Sequence, residues 1–460
     1  MSLSLALSIA GTGLAASAQR ANVTSANVAN ASTSGYVRRS VHATEIQSSG
    51  AGYGVAVSDP VRNDRPGLER ALRAAATQEA GARVRTEALA AVVDILGKPG
   101  STEGIAGAVS ALRDGLERLS VSPERPELLN QAGRAAAHLA AAFRNTASDL
   151  AGEKMAAQAA LAGDVARANE LLYALQATDR SILAAPDTEH PATPAPLLDE
   201  RGRLLKELAT FLPVRAGERD SGALVVMTRE GVTLLDGRVA ELEVTAPAGL
   251  NVDGQSLEPG SGPQAPSGGR LVERLHWLRT ELPSIETRVD ALAADLIGRA
   301  DAAGMVNLFA DPSGAPGAGS AGRLQVDARV DPDAGGEAWR LRDGLNAPVS
   351  GNVGDDRQIL DLLAAMDAPT VGPDGSARSL QDSADFLSLQ SQLDSRSAEA
   401  EATRLQGFRE VIAAELDTAQ GVNLDAELQA LIEIEKAYAA NAMVLETVAR
   451  MTDALLAIGR

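Results

Sequence analysis

Residues 421-GVNLDAELQALIEIEKAYAANAMVLETVARMTDALLAI-458 decide the fold. Gly421 ends whatever helix precedes it, and Asn423 is a residue type that caps helices by accepting a backbone N–H. Asp425 and Glu427 fall in the first turn, where their charge complements the helix dipole. No Gly or Pro interrupts the following residues, and Ile434, Tyr438, Asn441, Leu445, Val448, Met451, Leu455 and Ile458 recur in steps of three and four, a seam of the coiled-coil type. So narrow a seam demands a helical partner.

The opposite end of the chain carries a second seam. Leu7, Gly11, Leu14, Ala18, Ala21, Ser25 and Val28 alternate by four and three, and the segment stops at Asn27, Asn30 and the turn Ser34-Gly35, residue types that tolerate left-handed backbone. The Gly-rich 48-SSGAGYGVAVSD-59 then reads as an extended loop or short hairpin. Between the ends, helices are expected over Leu68–Leu96, closed by 97-GKPG-100, over Thr102–Leu119, and as a long rod, continuous or in two pieces, from Pro126 to Pro186. A shorter helix covers 197–211. The period then changes, and 222-GALVVMT-228, 231-GVTLLDG-237 and 239-VAELEVT-245 read as an antiparallel meander. Residues 249–269 are Pro, Gly and Ser rich and read as a loop. Helical patterning returns at Leu271 with a kink or restart at Pro283; 311–353 is Gly/Pro/Asp rich with short strands around Leu324–Val330; Ser379–Ile458 is helical with one break at Gly421. The fold class expected is mainly α with a small β insert.

Composition fits that reading and narrows the function. The chain has 460 residues, room for two to four domains, with 45% apolar but only 2% aromatic residues, so Ala, Leu, Val and Ile must fill the interior. A formal charge of -19 repels phosphate backbones and anionic lipid, and no Lys/Arg cluster offsets it locally, so neither nucleic acid nor membrane is an expected partner. Zero cysteines exclude disulfides, thiolate metal sites and cysteine nucleophiles. The apolar start lacks a positive n-region, the first basic residue being Arg20, so export is expected without a cleaved signal peptide.

Chemistry is sparse. His42, His138, His190 and His276 share no ligand spacing, and Asp331-Pro332-Asp333 lacks the rest of a calcium loop, so no metal is assigned. The G-x-G-x-x-A in 9-IAGTGLAAS-17 resembles the start of a dinucleotide-binding turn, but the first acidic residue after it is Glu45 and no βαβ alternation follows. Gly11 and Gly13 are better read as small residues that let helices approach. No catalytic residue and no cofactor is assigned.

Two stretches then point to a family. The segment 22-NVTSANVANASTSGYVRR-39, through Asn27, Val28, Ala29, Asn30, Ser34, Gly35, Tyr36 and Arg38, resembles the N-terminal signature of flagellar rod, hook and hook-associated proteins. The closing helix resembles the same group's C-terminus through Val422, Asn423, Leu424, Glu427, Leu431, Ala437, Tyr438, Asn441, Met451, Leu455 and Leu456. Within the group, 197-LLDERGRLLKELATFLPVR-215, 268-GGRLVERLHWLRTELPSIETRVDALAADLI-297 and 354-GDDRQILDLLAAMD-367 resemble the hook-associated members that join hook to filament. The charged 433-EIEKAY-438 departs from the group's Gln-rich pattern, and the β insert is short.

The resemblance implies a non-enzymatic structural component of the flagellar axis, located outside the cell at the hook-filament junction; a hook or rod protein of the same group is the alternative, and a dinucleotide-binding enzyme a distant one. It implies an inner coiled-coil domain from residues 1–55 and 410–460, a helical rod domain from 56–212, 268–310 and 354–409, and an outer β-rich insert from 213–267 and 311–353. Implied partners are the flagellar hook protein, the next hook-associated protein toward the filament, copies of the chain in a ring, and a type III export chaperone on the C-terminal helix. The implied assembly interface comprises Leu7, Leu14, Asn27, Asn30, Gly35, Tyr36, Asn423, Leu424, Leu431, Tyr438, Asn441, Leu445, Val448 and Leu455.

Overall fold

A computed structural model describes residues 3–33, 35–48, 51–184, 195–246, 248–257, 268–372 and 374–458. Ser34, His190 and part of the Pro/Gly/Ser-rich loop expected after residue 249 lie outside the described residues. In chain order the main elements are α1 (Leu3–Asn30), β1 (Arg39–Ser40), β2 (Ala43–Ser48), β3 (Ala51–Val57), β4 (Val61–Arg62), α2 (Pro66–Leu96), α3 (Gly104–Val121), α4 (Pro126–Leu183) and α5 (Ala195–Phe211). There follow β5 (Val214–Glu218), β6 (Leu224–Thr228), β7 (Thr233–Asp236), β8 (Arg238–Val239), β9 (Leu242–Thr245), β10 (Gly249–Val252) and β11 (Gln255–Ser256). The last part holds α6 (Arg270–His276), α7 (Leu282–Ala302), β12 (Phe309–Ala310), α8 (Ser320–Arg323), β13 (Gln325–Val326), α9 (Arg340–Asp343), α10 (Arg357–Asp367), β14 (Thr370–Val371), β15 (Ala377–Arg378), α11 (Leu380–Gln420) and α12 (Leu424–Ile458). The chain is mainly α with small antiparallel sheets, and no described helix is long and apolar enough to cross a membrane.

Helix starts follow the local chemistry. Pro66 and Pro126 open α2 and α4 at positions where the missing N–H has no intrahelical role, with Glu69 and Glu127 in the first turns. The long periodic stretch forms one 58-residue helix. At Pro283, where a kink or restart is expected, α7 begins at Leu282 with Pro283 in its first turn, directly after a π-helical turn, Trp277–Glu281, in which the Leu282 N–H bonds the Trp277 carbonyl. The wider turn absorbs the bond that Pro283 cannot donate and keeps the helix running.

The chain divides into two compact units. One gathers Met1–Gln78, Arg167–Glu241 and Gln406–Arg460. In it Leu72 and Ala75 of α2 pack with Ile412 of α11, and the antiparallel sheet β5-β6-β7-β8 presents Leu224, Val226, Leu234 and Leu235 to the interior. The Asp179 carboxylate on α4 accepts the Leu224 N–H, fixing the start of β6. The other unit gathers Glu79–Ala166 and Leu242–Leu405. Its core runs through Leu112, Leu116 and Leu119 of α3, Leu139 and Phe143 of α4, and Ile285, Val289 and Leu296 of α7, with α10 against α3 and α7. Arg299, 3% exposed, is bonded to the carbonyls of Ala365, Met366 and Ala368 at the end of α10, to Thr370 and to Asp295.

The strands correct two local expectations. The meander keeps only Arg238–Val239 as its last strand; Leu242–Thr245 pairs instead with β10 in a separate sheet β11-β10-β9. Part of the expected loop after residue 249 is the hairpin β10-β11, because Asp253 (φ 47) and Gly254 (φ 78) supply the two positive-φ residues of a tight turn.

Candidate assembly site at the paired chain ends

Helices α1 and α12 lie side by side and antiparallel. Near the end of α1, Asn27 meets Glu427 at the beginning of α12, and further back Gly13 meets Asn441. The buried stripe on α1 is Ala10, Ser17, Thr24 and Asn27 together with Gly13; on α12 it is Glu427, Ile434 and Val448, flanked by half-buried Leu431, Asn441 and Leu445. A Cβ at Gly13 would lie 2.8 Å from the Asn441 amide nitrogen, so the missing side chain lets that amide lie across α1.

This stripe is displaced by one residue from the seam read in the sequence. Leu7, Gly11, Ala18 and Ser25 are exposed, Leu14, Ala21 and Val28 half-buried, and Gly11 has no atom near where its Cβ would be. The physical reason is close approach: the face of α1 that pairs is small and polar, whereas its larger apolar residues sit on the flank. A further side of α1 carries the hairpin β2-β3, where the Thr12 hydroxyl accepts the Val55 N–H at 3.2 Å beside Gly54 (φ +132).

At the helix ends a hydrogen-bonded clasp closes the pair. The Asn27 amide donates to the Arg39 carbonyl (2.9 Å) and to Glu427 Oε2 (3.2 Å), while its oxygen accepts the Arg39 N–H (3.1 Å) and the Tyr36 hydroxyl (2.9 Å). Every hydrogen-bonding position of a buried amide is thus used. Glu427, 1% exposed, takes its other bond from Arg38 Nε at 2.6 Å. Arg39 stacks over the Tyr36 ring and pairs with Asp199 of α5, which Arg62 also holds, while the Arg38 N–H and the Asn63 amide reach the last carbonyls of α11 at Gln420 and Ala419. Burial pushes the Tyr36 hydroxyl above its ordinary 10.0; Arg39 opposes that shift, and Asp199 and Glu427 add to it.

The expected interface residues fall into three groups. Asn27, Tyr36, Asn441 and Val448 lie inside the pair or its clasp, with Leu14, Leu431 and Leu445 at its edge. Asn30, Gly35 and Asn423 shape helix ends: Asn30 donates to the Ala26 carbonyl, Gly35 holds φ +83, and Asn423 accepts the Ala426 N–H as an N-cap. Leu7, Leu424, Tyr438 and Leu455 are about half exposed. Sequence reasoning placed Glu427 as a dipole complement and a matching residue of the family resemblance, not as a buried partner, and passed over Arg39, Arg62 and Asp199; the Arg38-Arg39 pair beside Tyr36, in a nearly acid-free segment, was the available sign that a buried carboxylate waits elsewhere. The G-x-G motif lies inside α1, so it forms no strand-to-helix turn. Among the described residues no group of three or more His, Cys, Asp or Glu is placed to hold a metal ion.

Comparison with known proteins matches three stretches. Residues 7–36 fit the family model described as flagella basal body rod protein, residues 418–458 that of flagellar basal body rod FlgEFG protein C-terminal, and residues 89–306 that of the flagellar hook-associated protein FlgK helical domain. Flagellar hook-associated protein 1 of Salmonella typhimurium (strain LT2) is 25% identical over 241 residues, which is 51% of this chain and 43% of that protein. The Escherichia coli K12 protein of the same name is 25% identical over 241 residues, 51% of this chain and 44% of its own length. The match therefore spans under half the length of these relatives. Among solved structures, the flagellar hook junction protein FlgK from Burkholderia pseudomallei aligns with a TM-score of 0.44 at 22% identity, covering 54% of this chain and 46% of that one.

Proposed function

Because both ends of the chain and its helical middle fit models of flagellar rod and hook-associated proteins, we propose that it is a structural component of the flagellar axis that joins hook to filament. The observation that carries this reading is the apolar surface left uncovered after α1 and α12 have paired. Leu7 on α1 and Leu424, Leu428, Ile432, Met443, Met451, Leu455 and Leu456 on α12 stay exposed on a helix pair whose own contact is satisfied. Apolar exposure on that scale suits a surface meant for neighbours. The neighbours proposed are the hook protein on one side, the next hook-associated protein toward the filament on the other, and further copies of this chain in a ring. The paired ends, residues 1–55 and 410–460, would form the innermost layer, with the rest of the chain outside it.

The role needs no chemistry, only a rigid joint. Before assembly the same apolar face of α12 would be covered by an export chaperone, and the protein would leave the cell by the type III route. Electron microscopy of cells lacking the gene is the test. Hooks without filaments, with filament protein lost to the medium, are expected; cells lacking hooks altogether would point to a rod or hook protein instead, and intact filaments would sink the proposal.

A further inference from the structure

On α1 the seam with α12 is built from small and polar residues, and the positions it meets on α12, Glu427, Ile434, Asn441 and Val448, recur once per heptad. Such a seam can pair in several registers one heptad apart unless something distinguishes them. Two contacts do. Asn27 bonds Glu427 inside the clasp, and Gly13 receives the Asn441 amide. Gly13 and Asn27 are two heptads apart on α1, and Glu427 and Asn441 are two heptads apart on α12, so one register satisfies both contacts together.

Sliding α12 by a heptad one way brings Ile434 to Asn27 and sets Asn441 against Arg20; the other way sets Asn441 against Ala6. In both, Asn27 loses its carboxylate partner, and Asn441 meets a residue with a Cβ where the present fit requires none. We infer that the Asn27–Glu427 and Gly13–Asn441 contacts are a two-point register lock that fixes where α12 lies along α1, and so which apolar residues the pair presents. A buried polar pair that selects one register among several acts by making the others leave polar groups unsatisfied. The inference concerns the pairing of the chain's own ends and stands apart from where the protein assembles.

The short link from Gln420 to Leu424 also restrains α12, and the experiment separates link from lock. The cysteine-free chain accepts spin labels at Gly11→Cys and Met443→Cys, both exposed positions. Electron–electron distance measurement on the full-length labelled protein should give one narrow distance. The variant Glu427→Ile, Ile434→Glu, Asn441→Val, Val448→Asn keeps the composition but moves the lock by one heptad. It should shift the labels to a new distance set by an axial offset of about 10 Å, seven residues at about 1.5 Å each. The parental distance in a fully helical swapped variant overturns the inference and assigns the register to the link. A second variant, Asn27→Leu, Glu427→Leu, Asn441→Ala, removes the lock without offering another. Two distances in place of one are expected there, and a single parental distance overturns the inference even where the swapped variant does not fold.

Discussion

Asn27 and Glu427, 400 residues apart in sequence, share a buried hydrogen bond of 3.2 Å that ties the first helix of the chain to the last. Around that bond the Arg39 backbone, the Tyr36 hydroxyl and the Arg38 guanidinium are all satisfied at once. Removing one member therefore strands several others.

Asn27→Ala is expected to destabilise the helix pair by about 1–3 kcal/mol, the cost of leaving buried polar groups unpaired. Hydrogen exchange should speed up in α1 and at the start of α12, while amides of α3 and α7 keep their protection.

The two glycines of α1 should respond in opposite ways. Gly11 meets open space, so Gly11→Ala gains helix propensity and stabilises by about 0.5–1 kcal/mol. Gly13→Leu drives its side chain into Asn441 and should loosen the pair, with partial recovery on adding Asn441→Ala. Urea titrations of the four proteins read the order; equal effects at both glycines would remove the close-approach argument.

Alkali should open the clasp. The raised Tyr36 value means the folded state holds its proton at a pH where the unfolded chain has lost it, so stability is full below about pH 10 and falls as pH rises beyond it. The phenolate, once formed, cannot donate to Asn27. Unfolding midpoints across that range should decline more steeply in the parent protein than in Tyr36→Phe.

In the other unit, Arg299→Met removes the guanidinium that closes the end of α10 and takes from Asp295 its ion-pair partner, leaving it the Thr370 hydroxyl. Breaking so buried a pair is expected to cost about 3–5 kcal/mol. Calorimetry should show the loss, and a shift under about 1 kcal/mol would mean that water replaces the guanidinium.

The closing helix separates folding from assembly within its own sequence. Val448 is 7% exposed against α1, whereas Leu455 is 57% exposed. Val448→Asp should cost about 2–4 kcal/mol through lost burial and a desolvated charge. Leu455→Asp should leave stability within about 0.5 kcal/mol of the parent, yet cells carrying it should swim poorly and shed filament protein. Normal motility for Leu455→Asp would show that this face of α12 touches no neighbour.

The sequence was legible where one physical signal governs. Helices from Pro66 to Phe211 fall within a few residues of the expected ends, because Pro, Gly and apolar periodicity agree there. It was less legible where two chemistries compete. On α1 the larger apolar residues mark one stripe, but the stripe that pairs is Ala10, Gly13, Ser17, Thr24 and Asn27, since two backbones approach closely only through small side chains. The π turn before Pro283 and the Asp199 bridge to Arg39 and Arg62 depend on residues distant in the chain, which local patterning does not reach.

The 400-residue reach of the Asn27–Glu427 bond also bears on how the chain is made and how it can change. Helix α1 leaves the ribosome long before α12, so the two cannot pair until the 400 residues that separate Asn27 from Glu427 have been made. Closing so long a loop costs entropy that grows only logarithmically with its length, about 0.6 kcal/mol for each doubling. The length of chain between α1 and α12 can therefore change at small entropic cost, provided that Asp199, Arg62 and Asn63 keep their places in the clasp.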